Sequence, residues 1–223
     1  MPPLSPVQAQ VYGFVRQRFL SSAAMTAAQR DYRWRHTLRV AALGREIARA
    51  ERLSEDALVA GCLLHDLAYA EPTLDDAAWL AHGRRSAALA RPFVERLALP
   101  QPEREALLYG VAIHVDDKSD FPGQRTALSL SIGDCDNLDR FDVYRIYENL
   151  EYARFSAMDA AAQAAFVADK RAHLAARLDE PLATAAATRL WRERIAYQTG
   201  FYDRLAAQLA REDGFATTED SSV

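Results

Sequence analysis

The segment Ala57–Leu64 is uncharged and apolar, and His65 and Asp66 follow it directly, before further apolar positions. A run of this kind is typical of the interior of a helical protein, where an ionised carboxylate is unfavourable unless a positive group meets it. Helix-forming residues dominate the rest of the chain, glycine and proline lie mainly at breaks, and no strand pattern or repeat is evident. These features predict an all-α fold and raise the question of which positive group neutralises Asp66.

Apolar periodicity and capping residues place the helices along the chain. Most of the predicted boundaries follow directly from a proline or a capping residue. A fourth helix is predicted to run from Asp75 to near Leu97, and a last pair of helices to begin at Pro181, break near Gly200 and end before Gly214. The other predicted helices cover about 6–20, 32–51, 54 onward, 102–114, 126–139, 142–156 and 160–178.

Composition limits the classes of function. The 223 residues are half hydrophobic, which is enough for one sizeable core. A net charge of -4 argues against a surface for a nucleic acid polymer, although it is compatible with a local basic pocket. Two cysteines are too few for a disulfide framework, and no signal peptide or membrane-spanning run is apparent. A cytoplasmic protein without a membrane partner is expected, and the oligomeric state is left open.

Four of the five histidines fall on apolar helix faces: His36, His65, His82 and His114. Asp134 has Leu130, Leu138 and Phe141 at matching helical offsets, so its carboxylate is predicted to point inward. Asp136 lies roughly 200° further around the helix and is predicted to point elsewhere. His173 lies apart from this pattern and is expected to be a surface or packing residue.

Each of these residues has an ordinary interpretation when it is taken alone. A single buried histidine is usually a hydrogen-bonded core residue, and Asp66 could pair with one of the many arginines. Four such histidines together with two inward carboxylates, spread over five predicted helices, favour a shared site instead. Imidazole and carboxylate are the ligands of Zn, Mn or Fe, and a divalent ion would supply the positive charge that Asp66 needs.

The ordered set His36, His65-Asp66 and Asp134 resembles the H…HD…D signature of the HD-domain metal-dependent phosphohydrolases. The surrounding segments agree over about residues 32–150: RHTLRVAALGREIA, AGCLLHDLA, AHGRRSAALA and IGDCDNLDRFDVYRI. The segment TRLWRERIAYQTGFYDRLAAQL is similar to the closing helices of small bacterial HD proteins that cleave nucleoside triphosphates. The resemblance implies one helical domain over 1–214, with the motif core at 32–150, C-terminal helices at 159–213 and a disordered tail at 215–223.

The resemblance also implies ligands and chemistry. His36, His65, Asp66 and Asp134 match the four ligands of a primary metal. His82 and His114 match histidines that, in some branches, join a bridging aspartate to hold a second metal. One or two divalent ions (Mn, Ni, Co, Zn, Mg or Fe) would activate a water to cleave a nucleotide or another small phosphate ester.

Further cations near the ion would stabilise charge that develops on phosphorus. Arg85 and Lys118 are the sequence candidates for this role, beside Asp66 as the carboxylate at the reaction centre. The loop that follows the HD pair, AYAEPTLDD, matches no single substrate class. Two alternatives stay open: an HD-type oxygenase with two irons, and a non-catalytic module that binds a metal or a nucleotide.

Overall fold

The computed structural model describes residues 3–72 and 75–219, with side chains through Arg211. Every regular element in these ranges is a helix, which confirms the all-α class. Two short 3-10 turns, Leu67–Ala70 and Phe155–Ala157, interrupt the succession. The α-helices are α1 Pro6–Leu20, α2 Ala27–Glu51, α3 Glu55–Leu64, α4 Asp76–Leu80, α5 His82–Val94, α6 Gln101–Ile113, α7 Ala127–Arg140, α8 Val143–Tyr152, α9 Ala160–Ala175 and α10 Ala185–Glu219.

Three of the differences between the helix boundaries and the sequence prediction have a clear local reason. α2 begins at Ala27, earlier than predicted, because Thr26 and Gln29 form a capping box in front of it. The predicted fourth helix is two helices, α4 and α5, because the backbone leaves the helical conformation at Ala81, whose φ and ψ are -88° and 3°. α10 runs through Gly200 without the predicted break, since a helical glycine costs only about 1 kcal/mol relative to alanine.

Contacts along the chain define two compact units. The first comprises the residues up to Asp139 together with Leu182–Ala187, and the second comprises Arg140–Pro181 and the residues from Thr188 onward. The single domain inferred over 1–214, with its core at 32–150, stays a prediction. The tail proposed at 215–223 also stays a prediction; α10 is described to Glu219, and residues 220–223 lie outside the described range.

In the first unit, α3 is the central helix. Its residues from Ala57 to Leu64 are all buried, as the apolar run predicted, and α1, α2 and α6 pack around it. This packing brings the end of α3, where His65 and Asp66 lie, against the ends of α5 and α6. None of the described helices is both long and apolar enough to cross a lipid bilayer.

Two glycines permit close approaches near the end of α6. A Cβ atom on Gly110 would collide with the backbone oxygen of Ser129, so α6 and α7 can pack this closely only with glycine here. A Cβ on Gly83 would lie 2.7 Å from Ala112 O and 3.0 Å from His114 Nδ1. The absence of a side chain at Gly83 therefore lets the start of α5 reach the end of α6, where His82 and His114 meet.

The second unit has an aromatic core of its own. Phe141 and Trp191 lie with their ring centroids 4.6 Å apart, and the Trp191 indole N–H donates to Arg177 O at 2.8 Å. Tyr202 is fully buried, and Phe166 lies between it and Phe155. These contacts join α9, α10 and the residues that flank α8 into one packed group.

Candidate metal centre

Three histidines are held by the same local contact at helix ends. The Nδ1 atoms of His65, His82 and His114 lie 2.7, 2.6 and 2.8 Å from the carbonyl oxygens of the residues three positions earlier, which are Cys62, Trp79 and Val111. A carbonyl oxygen can only accept, so each Nδ1 carries the proton and each Nε2 keeps a free lone pair. These contacts also satisfy carbonyls that a helix end leaves without an intrahelical donor. Each ring is thereby held with Nε2 as the atom that could bind a metal.

The fourth histidine, His36, is oriented by a carboxylate instead of a carbonyl. Its Nδ1 lies 2.7 Å from Asp139 Oδ2, and Arg39 holds Asp139 with two hydrogen bonds of 2.6 and 3.0 Å. A carboxylate behind the outer nitrogen of a metal-binding histidine fixes its ring and raises its basicity. The Nε2 atom of His36 therefore points toward the other histidines, 3.2 Å from Nε2 of His65.

Asp66 lies between the histidines, with one oxygen directed to each pair. Its Oδ2 atom is 3.5 Å from His36 Nε2 and 3.2 Å from His65 Nε2. Its Oδ1 atom is 3.2 Å from His82 Nε2 and 3.8 Å from His114 Nε2. The carboxylate is 2% exposed, so it is a buried group that four imidazoles surround.

Arg33 is a positive partner of Asp66 in this structure. Its guanidinium forms a short ion pair with Asp66 Oδ2 and stacks 3.6 Å from the ring centroid of Tyr69. Arg33 lies one turn before His36 on α2, so the two side chains share a helix face. Sequence reasoning left an arginine partner open but did not single out Arg33, although this spacing was a usable signal.

The structure places Asp136, and not Asp134, against the histidines. Asp136 Oδ1 lies 3.1 Å from His36 Nε2 and 3.8 Å from His65 Nε2, whereas Asp134 Oδ2 accepts a hydrogen bond of 2.8 Å from the Ala183 N–H. The helical offsets were misleading because α7 is buried on more than one side. The face that carries Asp134 packs against Leu182–Ala187, and the face that carries Asp136 turns toward the histidines.

The acidic groups of the cluster are held in their ionised forms. Burial alone would raise the pKa of Asp66, but Arg33 and His65 hold it well below its usual range. Burial alone would also raise the pKa of Asp136, but the hydrogen bond with His36 outweighs it and lowers this pKa below its usual range. Burial lowers the pKa of His36, but Asp136 and Asp139 outweigh this and raise it to about 9. The metal-free cluster therefore stabilises positive charge at its centre.

The donor set fits a divalent ion. Three groups of side chains each bring their ligand atoms within 4.8 Å of one another: His36, His65 and Asp66; His65, His114 and Asp136; and Asp66, His82 and His114. The Nε2 atom of His114 is buried and has no hydrogen-bond partner among the described residues. A buried nitrogen without a partner is unfavourable, and a metal ion would satisfy it.

The two other sequence candidates lie outside this cluster. Arg85 is 55% exposed and pairs with Glu71 at 2.7 Å, so its guanidinium meets a carboxylate at the surface. Lys118 is exposed, and its backbone N–H donates to Asp116. Ser86, on the same helix as Arg85, is buried and accepts a hydrogen bond from the Ala68 N–H. The ring of His173 stacks against Phe141 in the second unit, as a packing residue.

A cavity of about 580 Å³ opens beside Arg33. Aromatic side chains form much of its wall, with Arg33 and Glu71 as its charged groups; the lining is Ala24, Met25, Ala28, Gln29, Tyr32, Arg33, Tyr69, Glu71 and Trp79. The Tyr69 and Trp79 rings lie 5.0 and 6.0 Å from the His82 ring. Cavities of about 300–1,000 Å³ with apolar walls and few polar groups are typical of small-molecule sites.

Comparisons with known proteins agree with this geometry. The model of the HD domain family matches residues 33–172. A solved structure described as a predicted HD superfamily hydrolase from an uncultured Thermotogales bacterium is similar, with a TM-score of 0.60 at 17% identity over 91% of this chain and 93% of that one. No curated protein matches. At this identity the structural likeness establishes the fold alone.

Proposed function

Because the chain belongs to the HD domain family, we propose that it is a metal-dependent phosphohydrolase that cleaves a nucleotide or another small phosphate ester. The observation that carries this proposal is the buried cluster of four histidines around Asp66, each with Nε2 directed inward. A bound divalent ion would lower the pKa of a water molecule and polarise a phosphoryl oxygen.

The proposed ligands follow from the two oxygens of Asp66. His36, His65, Asp66 and Asp136 would hold one ion, with Asp136 in the place first expected for Asp134. His82 and His114, which face Asp66 Oδ1, would hold a second ion together with that oxygen. The sequence-based proposal of a bridging Asp66 fits the separate directions of Oδ1 and Oδ2.

Arg33 is the cation we propose to bind the phosphate. It lies at the boundary between the cluster and the 580 Å³ cavity, since it pairs with Asp66 and also lines the cavity. An ion bound at Asp66 Oδ2 would replace Arg33 as the positive partner of that oxygen. The Arg33 guanidinium would then be available for a bidentate contact with a phosphate, the geometry that arginine favours.

Arg85 and Lys118 remain proposed site residues, but neither is proposed to contact the reacting phosphate. Arg85 pairs with Glu71, which lines the cavity, so it would act at the cavity rim and not at the reacting phosphate. Lys118 is exposed and has no proposed contact with the cluster. The aromatic wall of the cavity supports a substrate with a planar ring, such as a nucleotide base, because ring stacking contributes about 1–3 kcal/mol per base.

The test is a screen of nucleoside mono-, di- and triphosphates and simple phosphate esters with metal-free protein and added divalent ions. We expect phosphate or pyrophosphate release that a chelator abolishes. Arg33→Gln should lower turnover by about tenfold or more while bound metal stays near the wild-type amount, because a charge-assisted hydrogen bond contributes about 1.5–3 kcal/mol. Elemental analysis measures the bound metal.

The matched control is Arg35→Gln on the same helix. The Arg35 side chain is 70% exposed and, among the described residues, pairs with Asp31 one turn away, so turnover should stay at the wild-type rate. Equal turnover in both variants would exclude Arg33 from phosphate binding. The screen could show no metal-dependent phosphate release while the iron-loaded protein consumes oxygen. That result would contradict the hydrolase proposal and favour the oxygenase alternative.

A further inference from the structure

A second cavity, of about 200 Å³, lies wholly within the second unit. It shares no residue with the metal cluster or with the aromatic cavity. Its floor includes Leu174 and Gln198, which are 2% and 3% exposed, and Gln198 donates a hydrogen bond of 2.6 Å to Phe141 O. The lining is Arg140, Phe141, Arg145, Asn149, Lys170, His173, Leu174 and Gln198.

Four of these eight residues are basic, and none is acidic. The chain as a whole is acidic, with 31 Asp and Glu residues against 27 Lys and Arg residues. Three permanent cations around one small cavity repel one another, so their positive potential would attract a counter-anion. This concentration of charge is the local basic pocket that the net charge alone could not reveal.

Two carboxylates of the second unit pair with arginines that do not line the cavity. Asp142 pairs with Arg194 at 3.0 Å, and Asp203 pairs with Arg171 at 2.6 Å. Among the ion pairs described for the lining cations, Arg145 reaches Glu148 at a long 3.6 Å. Lys170 lies over the Phe166 ring at 5.2 Å, a contact that leaves its ammonium hydrogens able to donate. The side chains that line the cavity carry more positive than negative charge.

Packing holds the cationic groups in place. Arg145 Nε donates to Arg140 O at 3.3 Å, which joins the end of α7 to α8, and the His173 ring stacks on Phe141 with an angle of 13° between the planes. Donors on α7, α8, α9 and α10 thus converge on one volume. Pre-positioned donors lose less conformational entropy when a ligand binds.

We propose that this cavity binds a phosphate-sized oxyanion, either inorganic phosphate or the phosphate group of a larger molecule. Arg140, Arg145 and Lys170 would contact its oxygens, with His173 and Asn149 as further donors. Arginine and lysine form charge-assisted hydrogen bonds with phosphate. A volume of about 200 Å³ holds a phosphate with water but lies below the roughly 300–1,000 Å³ of sites that enclose a whole drug-sized ligand.

The test is a calorimetric titration of the full-length, chelator-treated protein with inorganic phosphate at low chloride, where the metal cluster holds no ion. We expect saturable binding with a Kd of about 1 mM or tighter. Lys170→Gln and Arg145→Gln should each weaken binding about tenfold, since each removes one charge-assisted hydrogen bond. Added chloride should also weaken binding, because salt screens the attraction.

Arg171→Gln is the matched control. Arg171 follows Lys170 directly on α9, but it is paired with Asp203 and does not line the cavity, so phosphate binding should be unchanged. Unfolding midpoints of all three variants distinguish loss of the site from loss of the fold. Absence of saturable binding in the wild type, or equal binding by Lys170→Gln, Arg145→Gln and Arg171→Gln, would overturn the proposal.

A parallel titration with AMP separates the two sources of the oxyanion. Equal affinities for AMP and inorganic phosphate would identify a site that recognises the oxyanion alone. Tighter binding of AMP that Lys170→Gln also weakens would identify the phosphate group of a larger ligand. Both results support oxyanion binding in this cavity. If Lys170→Gln leaves AMP binding unchanged, AMP binds at a different site.

Discussion

Histidine orientation in this protein follows from backbone chemistry near each ring. His65, His82 and His114 each donate from Nδ1 to a carbonyl three residues earlier, and this contact directs Nε2 into the cluster. His36 has a buried carboxylate behind it for the same purpose. A ring that is fixed in this way loses little freedom when an ion binds, so the site is organised before the metal arrives.

At the residue scale, the first prediction separates the two aspartates of α7. Asp136→Ala should reduce bound metal strongly, because its Oδ1 lies 3.1 Å from Nε2 of His36. Asp134→Ala should retain metal, because its carboxylate accepts from Ala183 N–H and does not face the histidines. Elemental analysis of both purified variants provides the measurement. The reverse result would restore Asp134 as the ligand.

A second prediction at this scale uses the pH dependence of Asp134. Burial raises its pKa to about 6, although the Ala183 N–H opposes the shift. A carboxyl group whose folded pKa is raised contributes its full stability at low pH and loses it as pH rises through about 6. Asp134→Asn avoids this loss and should be more stable than the wild type by about 1–3 kcal/mol at pH ~7.5.

Urea unfolding of the chelator-treated proteins at several pH values measures this difference. The advantage of Asp134→Asn should shrink as pH falls from ~7.5 toward ~3, because below the unfolded pKa of about 3.9 the wild-type carboxyl group is mostly protonated in both the folded and the unfolded chain. An advantage that stays constant across this range would show that the charge of Asp134 is not its cause.

At the element scale, close helix packing decides where the ligands meet. α6 and α7 approach at Gly110 and Ser129, which sets the distance between the helices that carry His114 and Asp136. α5 reaches the end of α6 at Gly83. The proposed ligands thus lie at helix ends and on helix faces. The relative positions of these helices depend on glycines, which have no side chain, as well as on the side chains that pack between them.

Gly110→Ala should therefore destabilise the protein by about 1–3 kcal/mol, because the added methyl group forces α6 away from α7. The control is Gly200→Ala in α10, where a Cβ would meet no atom within 4 Å. That change should be neutral or stabilising by up to about 1 kcal/mol, since alanine is the better helix former. Chemical unfolding of both variants measures the change, and equal stability of the two would refute the packing argument.

At the scale of the whole molecule, metal binding is linked to folding. The proposed ligands come from α2, α5 and α7 and from residues that follow α3 and α6, so the complete set exists only in the folded chain. A ligand that binds the native state alone adds about 2.7 kcal/mol to the free energy of unfolding at one hundred times its Kd. Removal of the metal should lower the unfolding midpoint accordingly.

The number of ions is a prediction at the same scale. Titration of the metal-free protein by calorimetry should show two binding events, because Asp66 presents one oxygen to each histidine pair. The double variant His82→Ala/His114→Ala should lose only the weaker event, since the second ion has fewer protein ligands. A single event in the wild type that the double variant leaves unchanged would indicate a site for one ion.

The sequence by itself determined the all-α class and indicated that the four histidines of the cluster lie on apolar helix faces. It could do so because apolar periodicity and helix capping are local properties of the chain. It also determined that the segment Ala57–Leu64 is buried and delivers Asp66 into the interior. These conclusions depend on residues a few positions apart, and local periodicity is sufficient for them.

Only the tertiary structure decided which aspartate of α7 joins the cluster. Periodicity shows which residues are buried but not which neighbour they are buried against, and α7 is covered on more than one side. Sequence reasoning did not identify Arg33 as the partner of Asp66 for the same reason, because this pairing depends on how α2 meets the end of α3. The excess of cations around the second-unit cavity is also a tertiary property, because residues from four helices converge there while the net charge of the chain stays negative.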